Sequence, residues 1–175
     1  CTESARDATP KEPAPASLDG TAVARPVSEL VAVGSNLAYY AVDDHDRLIV
    51  EVIDPVRSRE VGQVEAVLPQ QPSGVELELG GDGESVFVLT DGRTAGRTML
   101  ERVGPTGQSG WSVPIDEPRS APRTCDGDVC TVTSSGVEVR DATTGELTGR
   151  FGPILPGAAV DAIVAVDALA GDEIG

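Results

Sequence analysis

A short turn pattern that recurs along the chain constrains its fold more than any other feature. Residues 139–149 have the sequence of a strand, a tight turn from Asp141 to Gly145 and the start of a return strand. Related turns follow apolar segments at Asp54, Gly104 and Asp167. The first intervals are close to the roughly 40–50 residues that a repeat of four short strands occupies, and the last interval is shorter. The sequence therefore predicts one hairpin-based unit used several times.

Between these turns the sequence is typical of short strands. The segment Val75–Leu79 alternates apolar and acidic residues, which is the period of a half-buried strand. The 20 glycines and 13 prolines suit many strands joined by turns better than long helices. We expect an all-β domain over residues 26–175, built of antiparallel four-stranded units. The predicted units span about 27–70, 74–115 and 121–155, with a partial unit at 158–175.

The N-terminal segment differs in composition from the rest. Residues 1–25 contain three prolines and almost no large apolar side chain, so they bury too little surface to offset their ordering entropy. We expect a disordered tether. Its first residue, Cys1, followed by a polar stretch, resembles the mature end of a bacterial lipoprotein. The resemblance implies a lipid on Cys1 and a location at the extracytoplasmic face of the cell membrane; the alternative is a chain cut artificially at this residue, with two free thiols elsewhere.

The other two cysteines, Cys125 and Cys130, flank the segment Asp126–Val129. A four-residue turn would place them directly opposite each other across a hairpin, at a separation that a disulfide can bridge. The sequence therefore predicts a Cys125–Cys130 disulfide, which suits an exported protein.

The turn pattern resembles the blade motif of PQQ-like β-propeller repeats. Arg140–Glu146 matches the Asp, Thr and Gly of that motif, and Gly107–Trp111 matches its Gly-x-x-x-Trp half. The resemblance implies that Trp111 docks between neighbouring blades. Glycine stands where the family has Trp at Gly62 and Gly149, which predicts weaker docking there. Since a closed propeller needs about four blades, the sequence predicts a partial or open propeller.

The charge of the chain restricts its partners. The 13 basic and 29 acidic residues give a net charge of −16, which repels nucleic acid and favours a protein partner with a basic surface. Acidic residues concentrate in three predicted loops, which we consider candidate partner-binding loops. Their residues are Asp43, Asp44, His45 and Asp46 in the first loop, Asp82 and Glu84 in the second, and Asp126 and Asp128 in the third. Ca²⁺ binding by these groups is the minor alternative to a role in hairpin turns.

The sequence contains no set of residues that predicts catalysis. His45 is the only histidine and no Gly-x-Ser-x-Gly segment accompanies it. We therefore predict a protein that uses no cofactor: a membrane-anchored, non-catalytic scaffold for a protein partner in the cell envelope. The alternative that the propeller resemblance implies is a degenerate quinoprotein dehydrogenase fragment, which would bind PQQ with Ca²⁺.

Overall fold

The computed structural model describes residues 24–69, 77–92 and 96–152. Residues 1–23 of the predicted tether and the predicted partial unit 158–175 lie outside these ranges, whereas Arg25, which we assigned to the tether, lies in a strand paired with Val42. No helix within these ranges is long and apolar enough to cross a membrane. The described residues form twelve strands: β1 (Arg25–Pro26), β2 (Val31–Val33), β3 (Asn36–Val42), β4 (Leu48–Asp54), β5 (Arg59–Glu65), β6 (Val86–Asp91), β7 (Thr98–Val103), β8 (Ser109–Ile115), β9 (Arg123–Cys125), β10 (Asp128–Thr133), β11 (Gly136–Arg140) and β12 (Leu147–Phe151).

These strands form three antiparallel sheets, one in each of the first three predicted units, except that β1 lies just before the first unit. The first sheet has the order β2-β3-β4-β5, with β1 also paired to β3, and the third has the order β9-β10-β11-β12. The second sheet has the order β6-β7-β8. The prediction of an all-β fold of antiparallel, four-stranded, blade-like repeats is confirmed.

The second sheet departs from four full strands at its inner edge. There the chain runs beside β6 with few bonds: the Phe87 amide donates to Gly80 O at 2.9 Å, and Gly81 forms an isolated bridge to Val86. Residues 77–79, from the segment in which we expected an alternating strand, form no ladder, although Leu79 is buried. Paired glycines have no side chains to pack against a neighbour, which weakens a strand.

The core lies between the sheets. One apolar cluster joins the facing sides of the first and second sheets and includes Tyr40, Val50 and Val86. A second cluster joins the second and third sheets through Phe87, Leu89 and other side chains. Strands buried on both faces carry nearly continuous apolar sequence, which explains segments such as β3, in which alternate residues enter different clusters.

Each sheet presents two ends with different loops. In an antiparallel meander the first and third connections share one end, which we call the lower end, and the second connection lies at the opposite, upper end. The lower ends of adjacent sheets are in contact: the Gly34 amide donates to Gly83 O at 2.6 Å and Asn36 Nδ2 donates to Pro105 O at 2.7 Å. All three sheets have a register shift just before the last lower turn, so the repeat extends to the backbone.

Candidate functional site

The structure separates the predicted partner-binding loops into two groups. Asp43, Asp44, His45 and Asp46 form the β3–β4 connection, which lies at the upper end of the first sheet. Asp82 and Glu84 precede β6, and Asp126 and Asp128 lie at the β9–β10 connection. These last four residues lie at the lower end. The eight residues therefore form two acidic surfaces and not one.

The upper tip is held together by Asp43. Its carboxylate accepts the amides of His45 and Arg47 at 2.8 and 2.9 Å, and it forms an ion pair with the Arg47 guanidinium at 2.7 Å. Hydrogen bonding by the Arg47 backbone amide is the main reason that the pKa of Asp43 lies below its usual value. The Asp43 carboxylate oxygens therefore stabilise the turn.

Asp43, Asp44 and His45 also form a group whose potential ligand atoms lie within 4.8 Å of one another. His45 Nδ1 lies 2.6 Å from Asp44 Oδ1, and both side chains are exposed. The tip can attract a cation at the surface. The part of the chain that the structure describes does not bring the six or more oxygen ligands of a Ca²⁺ site to this tip, and the Asp43 carboxylate already accepts two amides.

The same turn chemistry recurs at the lower end. The Asp82 carboxylate accepts the amides of Glu84 and Ser85 at 2.9 and 2.6 Å, and it lies 3.6 Å from the Arg102 guanidinium. Two further aspartates that begin lower turns, Asp54 and Asp141, each accept two amides from their own turns. Their pKa values are lowered, chiefly by these backbone hydrogen bonds. Hairpin geometry, and not metal binding, accounts for these aspartates.

Cys125 and Cys130 form a disulfide, with Cα atoms 5.9 Å apart. The expected direct opposition of the two residues is wrong: Cys125 pairs with Asp128, and Cys130 pairs with Arg123. Asp126 and Gly127 have φ angles of 45° and 85° and form a two-residue turn, the usual role of an Asp-Gly pair between strands. The bridge therefore runs diagonally across one face of the hairpin.

Trp111 lies between the second and third sheets. Its indole Nε1 donates to Ala142 O at 3.1 Å, and its ring stacks on Phe87 with the ring centroids 6.0 Å apart. A Cβ atom at Gly145 would lie 2.8 Å from the indole ring, so the glycine leaves room for the indole. The ring of one blade thus rests on the Asp-to-Gly turn of the next.

Gly62 has the equivalent position in the first sheet, four residues after the end of its turn. A Cβ atom at Gly62 would lie 2.5 Å from Thr106 O and 2.8 Å from Gly107 Cα, both in the turn of the second sheet. The backbones of the two sheets therefore touch where Trp111 intervenes at the next junction. The Trp-to-Gly replacement does not open a gap here.

One repeated residue of the three sheets was not predicted from the sequence. Glu51, Glu101 and Glu138 each lie three residues before the first residue of a lower turn, on the strand next to the last one of their sheet. The common spacing before Asp54, Gly104 and Asp141 was the signal that could have identified them. Each carboxylate is bound by its own sheet. The donors are Tyr39 at 2.8 Å for Glu51; Thr90 at 2.8 Å and Ser112 at 3.3 Å for Glu101; and Arg140 at 2.9 Å and Arg150 for Glu138.

The environments of these glutamates differ in charge. Glu138 is 3% exposed and is held between two guanidinium groups, whereas Glu51, 8% exposed, has the Tyr39 hydroxyl as its only side-chain donor within the described ranges. Burial is the main cause that raises the pKa of Glu51. Glu51, Glu101 and Glu138 are therefore structural hydrogen-bond acceptors, and each has different donors in its own blade.

Comparison with known proteins identifies the fold. No protein-family model matches the chain. No curated protein matches it either. Fourteen chains of solved structures are similar to it. One of them is BamB from Moraxella catarrhalis, at 15% sequence identity and a TM-score of 0.50, over 77% of this chain. The alignment spans 40% of the BamB chain, and BamB is a β-propeller. The three sheets are therefore blades of a β-propeller-like fold.

Proposed function

We propose that this chain is a membrane-anchored, extracytoplasmic lipoprotein that acts as a non-catalytic β-propeller scaffold for a protein partner in the bacterial envelope. The observation that carries the proposal is the acidic lower end of the second and third blades. Glu84, Asp126 and Glu146 are exposed there, and the Asp82 side chain, which is 22% exposed, lies beside Arg102. These residues lie in short turns, two of which are fixed by aspartate carboxylates, those of Asp82 and Asp141.

These turns lie on neighbouring blades whose inner segments are in contact. A Cβ atom at Gly80 would lie 2.7 Å from Pro122 O, and Arg123 forms an ion pair with Glu78 at 3.0 Å. The acidic tips therefore belong to blades that are in direct contact. A prearranged charged surface favours fast, salt-sensitive association with a surface of opposite charge. We expect a basic partner.

The partner surface is tested by photo-crosslinking in intact cells of the source bacterium. A photoreactive residue replaces Glu84 or Asp126 in the full-length protein, and His45 at the upper end serves as the control position. We expect a discrete protein adduct from the two lower positions, and less adduct when cells are opened in high salt before illumination. Equal adducts from His45, or no adduct from the lower end, would contradict the proposal.

Membrane anchoring is tested separately through Cys1. We expect palmitate labelling of the wild-type protein and its loss in Cys1→Ser, with the variant released from the membrane fraction. A labelled Cys1→Ser protein would contradict a lipid on this residue. Addition of PQQ with Ca²⁺ to the purified protein examines the quinoprotein alternative; a change in PQQ absorbance on binding would favour that alternative.

A further inference from the structure

The outer strands of the three blades differ in how they protect their free edges. An outer strand exposes a row of unpaired backbone groups, and natural sheets discourage pairing there with charged residues or proline. The first outer strand, β5, carries exposed Arg59, Glu60 and Glu65. The second, β8, contains Pro114, which has no amide to donate. Both strands therefore have the usual protection.

The third outer strand, β12, has the opposite character. Its sequence is Leu-Thr-Gly-Arg-Phe, and Leu147 and Phe151 at its two ends are 45% and 47% exposed. Its one charged residue, Arg150, forms an ion pair with buried Glu138 on the adjacent strand. The Arg150 side chain is 53% exposed, and its guanidinium is paired within its own sheet. Among the described residues, β12 pairs with β11 alone.

We propose that the free edge of β12 binds an extended, basic segment of a protein partner by strand addition. The backbone of β12 would supply the hydrogen bonds, and Leu147 and Phe151 would contact apolar side chains of the added strand. This inference rests on the proposed scaffold function and deepens it, since it adds an apolar, directional contact to the acidic lower surface.

Charge decides between a partner and a second copy of this chain. Glu146 is exposed next to β12, and the Thr148 hydroxyl of β12 lies 3.4 Å from Asp128 Oδ2. The chain as a whole carries a net charge of −16. Two copies paired through β12 would bring these acidic groups together, whereas lysine or arginine residues on an added strand would be attracted. The edge therefore fits a basic segment.

The probe for this edge is a peptide of alternating lysine and valine, with a threonine–valine peptide of equal length as the neutral control. Amide chemical shifts of the full chain are followed by NMR during titration. We expect the basic peptide to perturb the β12 amides and to slow their hydrogen exchange, and the neutral peptide to bind more weakly. Shifts confined to the acidic loops, or equal binding of the neutral peptide, would overturn the inference.

Substitutions locate the contact. Leu147→Lys and Phe151→Lys place charges on β12 like those that protect β5, and we expect each to weaken peptide binding by about tenfold. Val56→Lys is the matched control, because Val56 is 89% exposed on a turn and lies on no sheet edge. Unchanged binding by both β12 variants would overturn the inference, as would a β12-dependent dimer in sedimentation. Photo-crosslinking from Glu84 would still report on the scaffold function if the β12 inference fails.

Discussion

The two blade junctions solve the same packing problem with opposite means. At the second junction, a large ring at Trp111 rests on the turn Asp141–Glu146 and donates a hydrogen bond to it. At the first, Gly62 lets its backbone contact the equivalent turn, around Thr106 and Gly107, directly. The Trp111 ring fills the space between the blades at the second junction, whereas the backbones at the first junction touch and leave no such space.

Both junctions place a residue at the same docking position, although its type differs: Gly62 at the first junction and Trp111 at the second. The turn, the register shift before it and the docking position four residues after it are all present at both junctions. What differs is the distance that the docking residue must fill. Each junction should therefore tolerate a different class of substitution, and that difference can be measured.

Removal of the ring should have the largest effect. We expect Trp111→Ala to lower the free energy of unfolding by about 3 kcal/mol, the lower end of the range for deleting a large aromatic, because Trp111 is only partly buried. Urea unfolding followed by circular dichroism measures this change. A loss below about 1 kcal/mol would show that the second junction does not depend on the ring.

Addition of a methyl group at the first junction should cost somewhat less. Gly62→Ala places a Cβ atom 2.5 Å from a backbone oxygen, which can move only with its turn, so we expect a loss of about 2 kcal/mol. Gly104→Ala in the receiving turn is the control, since its Cβ atom would have 3.7 Å to the nearest atom. Equal effects of the two substitutions would mean that the close contact at Gly62 is not limiting.

The junctions also show what could be predicted from the sequence. The strands, the repeated turn and the position of Trp111 follow local patterns in the sequence, because hairpins and alternating strands are determined over short distances. The contact at Gly62 depends on the separation of two blades, which no local pattern encodes. Because Gly62 stands where the family has Trp, we predicted weaker docking at this position. In the structure, the backbones of the two blades are in contact there.

Errors in local detail had a different cause. The spacing of Cys125 and Cys130 suggested a four-residue turn, although the Asp126–Gly127 pair is the stronger signal and determines a two-residue turn. The repeated glutamates were visible in the sequence but resemble ordinary surface acids until their burial is known. The division of the acidic loops between two ends required the order of strands in each sheet.

A smaller change tests the polar part of the second junction. Trp111→Phe keeps an aromatic ring but removes the indole N–H that donates to Ala142 O at 3.1 Å. Because the partly buried Ala142 carbonyl then has no donor, we expect the free energy of unfolding to fall by about 1 kcal/mol, a third of the effect of Trp111→Ala. Urea unfolding of the two variants side by side gives this ratio, and equal losses would assign the whole contribution to the hydrogen bond.

The smallest effect should be a pH dependence at the second junction. The Asp141 carboxylate accepts the amides of Thr143 and Thr144 at 2.8 and 2.7 Å, whereas the turn at the first junction begins with Gly104 and has no such carboxylate. The pKa of Asp141 is lowered, mainly by the hydrogen bond from the Thr144 amide. Its stabilising contribution is therefore present above the unfolded pKa of about 3.9 and is lost as the pH falls through the lower, folded value.

Trp111, the only tryptophan of the chain, packs on this turn and reports on it directly. As the pH falls through the lowered pKa of Asp141, we expect the Trp111 emission to shift to longer wavelength before global unfolding, because the turn beneath the ring loosens when Asp141 gains a proton. Asp141→Asn keeps an acceptor oxygen but cannot ionise, so its emission should stay constant over the same interval. Asp43 and Asp54 have lowered pKa values as well, and the difference between wild type and this variant isolates Asp141 from them. An identical shift in both proteins would place the acid sensitivity elsewhere and leave the two junctions alike in their response to pH.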